Sequence, residues 1–311
     1  MSIAVVFPGQ GSQSVGMGVS LAASHPSAGK RFEEASRILG FDLLGVCAQG
    51  PEEKLMSASV AQPALFTAGY ATWEVLAGAG LKPAFMAGHS LGEYTACAAA
   101  GAFSFEEGVR LVKARAEAMG AAATHNPGGM MAVLGAKPGD LETWLGKAAP
   151  AGLVVPANEN APGQVIVSGE IAALDAVEAM AKEASVRVIR LKVSGAFHSP
   201  LMKEAAEVMK PVVADARMAE PAIPVVGNVQ GSIITGAQQV RQELEAQLTA
   251  PVKWGLCVGK MAELGVDTFI EAGPGKVLCG LIKRIDRKLT ALSTGDDKEL
   301  EETISRIKGG V

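Results

Sequence analysis

The 311-residue chain is poor in the residues that most often announce a special chemistry. It has four cysteines, four histidines, three tryptophans and two tyrosines. Cys47, Cys97, Cys257 and Cys279 are far apart, with no C-x-x-C pair and no histidine at ligand spacing. They read as isolated small core residues in a reducing cytoplasm, not as a zinc site, a disulfide pair or a thiol nucleophile. Charged residues make up only 19%, with a net charge of −4, so no basic footprint for nucleic acid exists. No uninterrupted apolar run is long enough to span a bilayer. Met1 to Phe7 lacks a basic n-region and reads as a first strand rather than a signal peptide, so a soluble, cytoplasmic protein is expected. Low-complexity segments and internal repeats are also missing.

What the chain does have is apolar mass and glycine: 49% hydrophobic residues and 37 glycines. That composition suits a compact α/β enzyme of one large domain or two smaller ones. One stretch organises the rest, Gly88-His89-Ser90-Leu91-Gly92-Glu93-Tyr94. It is a G-x-S-x-G between a short apolar segment, Ala84 to Ala87, and a run of small residues that suits a closely packed helix. This is the setting of a nucleophile elbow. A sharp strand-to-helix turn strains the Ser90 backbone, leaves no room for side chains at 88 and 92, and places the Leu91 N–H at a helix N-terminus. A second glycine-rich loop, Pro8-Gly9-Gln10-Gly11-Ser12-Gln13, follows the first strand candidate, Ile3 to Phe7. No G-K-[ST] follows it and its spacing is not G-x-G-x-x-G, so it is no phosphate loop. Its glycines instead let backbone N–H groups approach a ligand.

Helices are expected over Gly29 to Leu39, Pro51 to Met56 and Gln62 to Leu76. Ser104-Phe105-Glu106-Glu107 is a capping box opening a helix to about Ala123. At 100° per residue, Leu111, Val112, Ala118 and Met119 form one arc of that helix, and Arg115 falls in its middle. An arginine on a buried stripe needs an anionic partner. Either a core carboxylate pairs with it, or the site waits for a ligand carboxylate that guanidinium holds through two parallel hydrogen bonds.

Beyond Asn126-Pro127-Gly128-Gly129 the order is strand (130–134), helix (140–147), strand (153–157), strand (164–168), helix (171–184), strand (186–192). That βαββαβ order is ferredoxin-like. Asn158, Asn160, Pro162 and Gly163 are expected in the turn between its central strands. The fold class is therefore α/β: a large α/β-hydrolase-like domain with a mostly parallel sheet, over 1–125 and 196–311, and a small ferredoxin-like domain inserted over 126–195. In the second large segment, helices are expected from Leu201, over 238–248, 252–264 and 276–288, with a last strand at 266–270 and a short charged helix within 296–311.

A serine nucleophile needs a base within hydrogen-bonding reach. His25 and His125 sit beside loops at expected surface positions, and His89, next to Ser90, points away from it into packing. His198, in Gly195-Ala196-Phe197-His198-Ser199-Pro200, comes late in the chain, as the histidine of elbow enzymes does. No aspartate lies at an obvious strand end between the two. A backbone carbonyl or an amide is therefore a candidate to orient the imidazole.

Four segments in order carry a family resemblance: Val6 to Gln13, Gly88 to Tyr94, Gly195 to Pro200, and Glu271-Ala272-Gly273-Pro274-Gly275-Lys276. Over nearly its full length the chain resembles the malonyl-CoA:acyl-carrier-protein transacylases. The resemblance implies malonyl transfer from malonyl-CoA, through a malonyl-serine, to the phosphopantetheine thiol of acyl carrier protein, with CoA as product. It implies Ser90 as nucleophile, His198 as general base and acid, and the Gln247 backbone carbonyl as the group orienting His198. The Gln10 and Leu91 N–H groups would form the oxyanion hole. Arg115 would hold the malonyl carboxylate, with Met119 and Phe197 beside the substrate, and Asn158 and Asn160 on the CoA side. No bound cofactor, metal, nucleic acid or membrane is implied, and the family default is a monomer. Carrier proteins of this kind are acidic, so Lys276, Lys283, Arg284, Arg287 and Lys288 form a candidate docking face, with an ordinary solvated helix as the alternative. Three other activities remain open: a malonyltransferase serving a polyketide synthase, a serine esterase or thioesterase, and a non-catalytic carrier-binding scaffold.

Overall fold

The computed structural model describes residues 2–309. In chain order it runs β1 (Ile3–Phe7), α1 (Val19–Ser24), α2 (Pro26–Leu39), α3 (Leu43–Gln49), α4 (Glu52–Met56), α5 (Ala58–Gly78), β2 (Phe85–Gly88), α6 (Leu91–Ala99) and α7 (Phe105–His125). There follow β3 (Gly129–Leu134), α8 (Asp140–Ala148), β4 (Val154–Ala161), β5 (Gln164–Gly169), α9 (Ile171–Glu183) and β6 (Arg187–Arg190). The chain then forms α10 (Lys203–Asp215), β7 (Val225–Val226), β8 (Ile233–Ile234), α11 (Ala237–Ala246), α12 (Trp254–Glu263), β9 (Thr268–Glu271), α13 (Val277–Ile285), β10 (Thr290–Ser293) and α14 (Asp297–Lys308).

A six-stranded sheet has the order β10-β9-β1-β2-β7-β8, and β8 alone runs antiparallel to its neighbour. β1 lies inside it, and its alternate residues feed different cores. Val5 and Phe7 pack under α2, α5 and α7, whereas Ala4 and Val6 face the helices α12 and α13. A parallel strand covered on both faces must be apolar throughout, which is why Ile3 to Phe7 reads as an unbroken run. Burying Val5, Val6 and Phe7 completely contributes about 1.5–3 kcal/mol each. Against this sheet lies α5, buried nearly all round, and Gly69 lets it approach the Phe7 ring and the Ala272 carbonyl.

The second sheet is four-stranded and antiparallel, ordered β4-β5-β3-β6, with α8 and α9 closing its core around Met131, Val133, Trp144, Val167 and Leu174. Its strand order and βαββαβ succession are ferredoxin-like. The free edge of β4 is not left bare. Val252 donates to the Ala157 carbonyl at 2.8 Å and accepts from the Glu159 N–H at 2.8 Å. That ladder lays the Gln247–Val252 segment alongside Asn158 and Asn160.

Several elements differ from expectation. β4 runs on to Ala161, so Asn158 and Asn160 lie in a strand, and the turn itself is Pro162–Gly163. Irregular pairing after Pro156 and after Glu159 accompanies burial of both asparagines while Glu159 stays exposed. α5 begins at Ala58 instead of Gln62, α11 stops at Ala246, and α13 ends at Ile285, leaving Arg287 and Lys288 in the turn to β10. β10 itself, with α1 and α3, was not anticipated. Each is short, and β10 is only half-buried, so its periodicity is weak.

Candidate active site

The elbow is built as its glycines require. Ser90 has φ 52° and ψ −104°, between the end of β2 and the start of α6. A Cβ on Gly88 would collide with the Gly92 carbonyl, and one on Gly92 with the Phe7 carbonyl. Positive φ at a non-glycine costs about 1–3 kcal/mol and persists only where the surroundings enforce it. Asn228 does so: its Oδ1 accepts from the Ser90 N–H at 2.7 Å, and its Nδ2 donates to the Gly88 carbonyl at 2.7 Å.

His198 is 4% exposed and also holds a positive φ, 55°. The Ser199 hydroxyl donates to the Ala196 carbonyl at 2.6 Å and fixes this loop. His198 Nε2 lies 2.6 Å from Ser90 Oγ. On the other side, Nδ1 lies 3.0 Å from the Gln247 carbonyl and 3.2 Å from that of Ala250. Carbonyls only accept, so the proton sits on Nδ1 and the Nε2 lone pair faces the serine hydroxyl. Burial pushes the imidazole pKa down to about 3, the nearby Arg115 charge adds to this, and the Gln247 carbonyl partly offsets it. The ring is thus neutral, the protonation state a base needs.

Arg115, from α7, is fully buried. Its Nη1 donates to Gln62 Oε1 at 2.7 Å, and its Nη2 to Ser90 Oγ and Gln247 Oε1, both at 3.0 Å. Nε has no hydrogen-bond partner, and no carboxylate among the described residues pairs with the guanidinium. Burial lowers its pKa, and Tyr94, whose ring centre lies 5.4 Å from the guanidinium carbon, and Glu93 partly offset this. Of the two partners that the sequence left open, a core carboxylate is therefore not in contact. Met119 stands one turn further along α7, its Sδ 3.4 Å from Gln62 Nε2.

The N–H groups of Gln10 and Leu91 have no partner among the described residues. Leu91 opens α6, so its N–H adds to the positive end of the helix. Gln10 Oε1 accepts from Gln62 Nε2 at 3.1 Å. A cleft of about 380 Å³ is bordered by Gln10, His89, Asn158, Asn160 and Phe197, with Val277 and Leu281 of α13 on its far wall. His89 is packed at 5.7 Å from the Trp254 ring, and it also bonds Asn160 Oδ1 at 2.7 Å. Its ring nitrogen thereby steadies a cleft asparagine across the two sheets, beyond simple packing. His125 lies on the surface with Glu204, and His25 is half-buried between α1 and α2. Among the described residues no three His, Cys, Asp or Glu side chains converge on a possible metal position.

A strained serine with a neutral imidazole at 2.6 Å and two unpaired N–H groups nearby is equipment for acyl transfer. The acyl transferase domain model matches residues 4–295. The chain belongs to the acyl transferase family. Within this family of acyltransferase enzymes it is 41% identical over 308 residues to the malonyl CoA-acyl carrier protein transacylase of Bacillus subtilis, covering 98% of this chain and 97% of that one. The solved malonyl CoA-acyl carrier protein transacylase of Coxiella burnetii superposes with a TM-score of 0.95 at 38% identity, covering 99% and 98% of the two chains. A third relative, solved as a type II polyketide-synthase acyl-carrier protein in complex with its malonyl-transacylase, matches with a TM-score of 0.95 at 39% identity over 98% of this chain and 100% of that one.

Three polar residues of this acyl transferase escaped sequence reasoning. Gln62 joins Arg115 to Gln10, Asn228 clamps the elbow, and Glu93 lies buried behind it. Each had a signal. Gln62 and Glu93 are polar residues in mostly apolar stretches near the starts of α5 and α6, and Asn228 follows the apolar run of β7.

Proposed function

We propose that this acyl transferase moves a malonyl group from malonyl-CoA to the phosphopantetheine thiol of an acyl carrier protein. One observation carries the choice of malonyl: a fully buried guanidinium, without a carboxylate partner, donating to the hydroxyl of the strained serine. A free carboxylate on the acyl group answers that need, because guanidinium and carboxylate pair through two parallel hydrogen bonds. A neutral acyl chain leaves it unmet.

Ser90 Oγ attacks the thioester carbonyl while His198 Nε2 takes its proton. The oxyanion is received by the Gln10 and Leu91 N–H groups, each worth about 3 kcal/mol. The intermediate collapses, the C–S bond breaks, and His198 returns the proton to the CoA sulfur. The carrier thiol then attacks the malonyl-serine, giving its proton to His198, which passes it to Ser90 as the new thioester forms. Every group needed is on the chain or on the two substrates. Gln247 and Ala250 hold the imidazole through carbonyls, so no carboxylate stabilises the imidazolium. In this scheme water is a poor second acceptor and the acyl-enzyme lasts until the carrier arrives.

In this scheme residues 1–125 and 196–311 form the catalytic domain and 126–195 an inserted domain. Asn158, Asn160, Met119 and Phe197 line the acyl and CoA path. The protein works as a monomer in the cytoplasm; no helix among the described residues is long and apolar enough to cross a membrane. Lys276, Lys283 and Arg284, exposed on or beside α13 at the cleft wall, receive the acidic carrier. The polyketide-carrier complex among its relatives supports a second reading, in which the extender unit goes to polyketide synthesis. Transfer rates to the two kinds of carrier separate these.

Intact mass after brief mixing with malonyl-CoA or acetyl-CoA tests the reaction. Native protein should gain one malonyl group at Ser90, and Ser90→Ala none. Arg115→Ala should shift labelling toward acetyl. No adduct from either thioester would remove the transferase assignment. An adduct indifferent to Arg115 would return that arginine to a structural role, and rapid hydrolysis without a carrier would indicate a thioesterase.

A further inference from the structure

The Arg115 guanidinium is buried, yet no carboxylate among the described residues touches it. The nearest one is Glu93, fully buried on α6, one side chain away. Gln247 stands between them. Its Nε2 donates to Glu93 Oε2 and, at 2.9 Å, to the Ser90 carbonyl, while its Oε1 accepts from Arg115 Nη2 at 3.0 Å. Glu93 Oε1 accepts from the Asn228 N–H at 2.7 Å. One carboxyl group thus holds both residues that grip the elbow and the clamp.

The orientation of Gln247 is the consequence. Its amide has one accepting and one donating end. With a carboxyl oxygen at one end and a guanidinium N–H at the other, only one orientation satisfies both. Flipped, it would set N–H against N–H at Arg115 and oxygen against oxygen at Glu93. Beside Glu93 lies Glu243 of α11, close enough to shift its titration and held by the Val229 N–H at 2.7 Å. Burial raises the pKa of both carboxyls, and their mutual contact raises that of Glu93 further while lowering that of Glu243. Cys97 and Cys257 also face the pair, and burial pushes both thiols up, so they stay neutral.

We propose that Glu93 is a positioning residue that orients the Gln247 amide against Arg115, leaving the guanidinium open to a substrate carboxylate. Direct contact would have closed Arg115 in an ion pair; the interposed amide keeps the two apart and leaves the clamp open. This inference rests on the malonyl reading above.

Single-turnover acylation of Ser90 by malonyl-CoA and by acetyl-CoA tests it, in native protein, Glu93→Gln and Glu243→Gln. Native protein without a malonyl-serine would defeat the functional reading and the inference with it. Given native malonylation, Glu93→Gln should lose about tenfold to a hundredfold in malonyl rate, because an amide N–H now opposes a buried donor. The acetyl rate should fall far less, so the malonyl-to-acetyl ratio drops. Glu243→Gln keeps a hydrogen-bonding group beside Glu93, leaves the Glu93–Gln247 contact in place, and should keep the ratio within about threefold. An unchanged ratio in Glu93→Gln, or equal loss of both rates, would overturn the inference while leaving the reaction intact. Should Glu93→Gln fail to fold, Gln247→Met serves instead. It keeps the carbonyl that holds His198 and deletes the amide, and the same fall in ratio is expected; an unchanged ratio again overturns it.

Discussion

The depressed pKa of His198 ties stability to acid in a way that one substitution isolates. The unfolded chain protonates this histidine below about pH 6.5, whereas the folded site resists until about 3. Its contribution is therefore fully present above the unfolded value and is lost as pH falls toward the folded one. The slope is about 1.4 kcal/mol per pH unit, so at about pH 4.5 the native protein forfeits ~3 kcal/mol through this group. His198→Gln stays neutral throughout and escapes that loss. The stability difference between native and variant should hence shift in the variant's favour by ~3 kcal/mol between pH 7 and about pH 4.5, roughly 5–8 °C in Tm for a chain of this size. His89, also lowered by burial, slopes the same way, and Glu93, Glu243 and Glu271, raised by burial, slope the opposite way. All four are present in both proteins and cancel in the difference. Thermal unfolding of both across that range is the assay. A difference that stays constant with pH would refute the claim that His198 is held neutral by burial. In activity, the acid limb of kcat/KM should lie well below the ordinary histidine range.

The elbow makes a sharp packing contrast. Gly92→Ala forces a methyl into the Phe7 carbonyl and should cost at least about 3 kcal/mol or prevent folding, seen as a lower Tm or insoluble protein. Gly120→Ala, in the interior of α7 with open space at its Cβ, should instead stabilise by about 0.4–1 kcal/mol. On α13, reversing Lys283 and Arg284 to glutamate should raise KM for acyl carrier protein several-fold and leave KM for malonyl-CoA unchanged. Equal effects on both substrates would dismiss that face.

The parts of the fold that could be read from the residues are those whose pattern is local. β1 is a bare apolar run, α7 carries its own capping serine, with Ser104 Oγ accepting from Glu107 N–H at 3.2 Å, and the elbow advertises itself by glycines that tolerate no Cβ. Arg115 was conspicuous because a charge on an apolar arc has to be explained. The network behind it was not legible, since Gln62, Glu93, Asn228 and Gln247 come from four separate segments and meet only in three dimensions. By sequence alone, Pro162-Gly163 signals a turn that takes in Asn158 and Asn160. The pairing of Val252 with β4, which carries that strand past both asparagines, joins residues far apart in the chain and leaves no local trace.

The acceptors that hold His198 Nδ1 are peptide carbonyls of Gln247 and Ala250, and a carbonyl is present whatever side chain a codon specifies. The tautomer of the base is thus written in the path of the chain and not in the identity of a residue. A saturation mutagenesis survey would find no position whose replacement deletes the orienting group. It would register Gln247 only through its amide, and the imidazole's support through changes that reroute the backbone, such as proline in the segment from 247 to 252. In an aspartate-supported site, one base change can remove the third member of the triad. Here that route to inactivation does not exist.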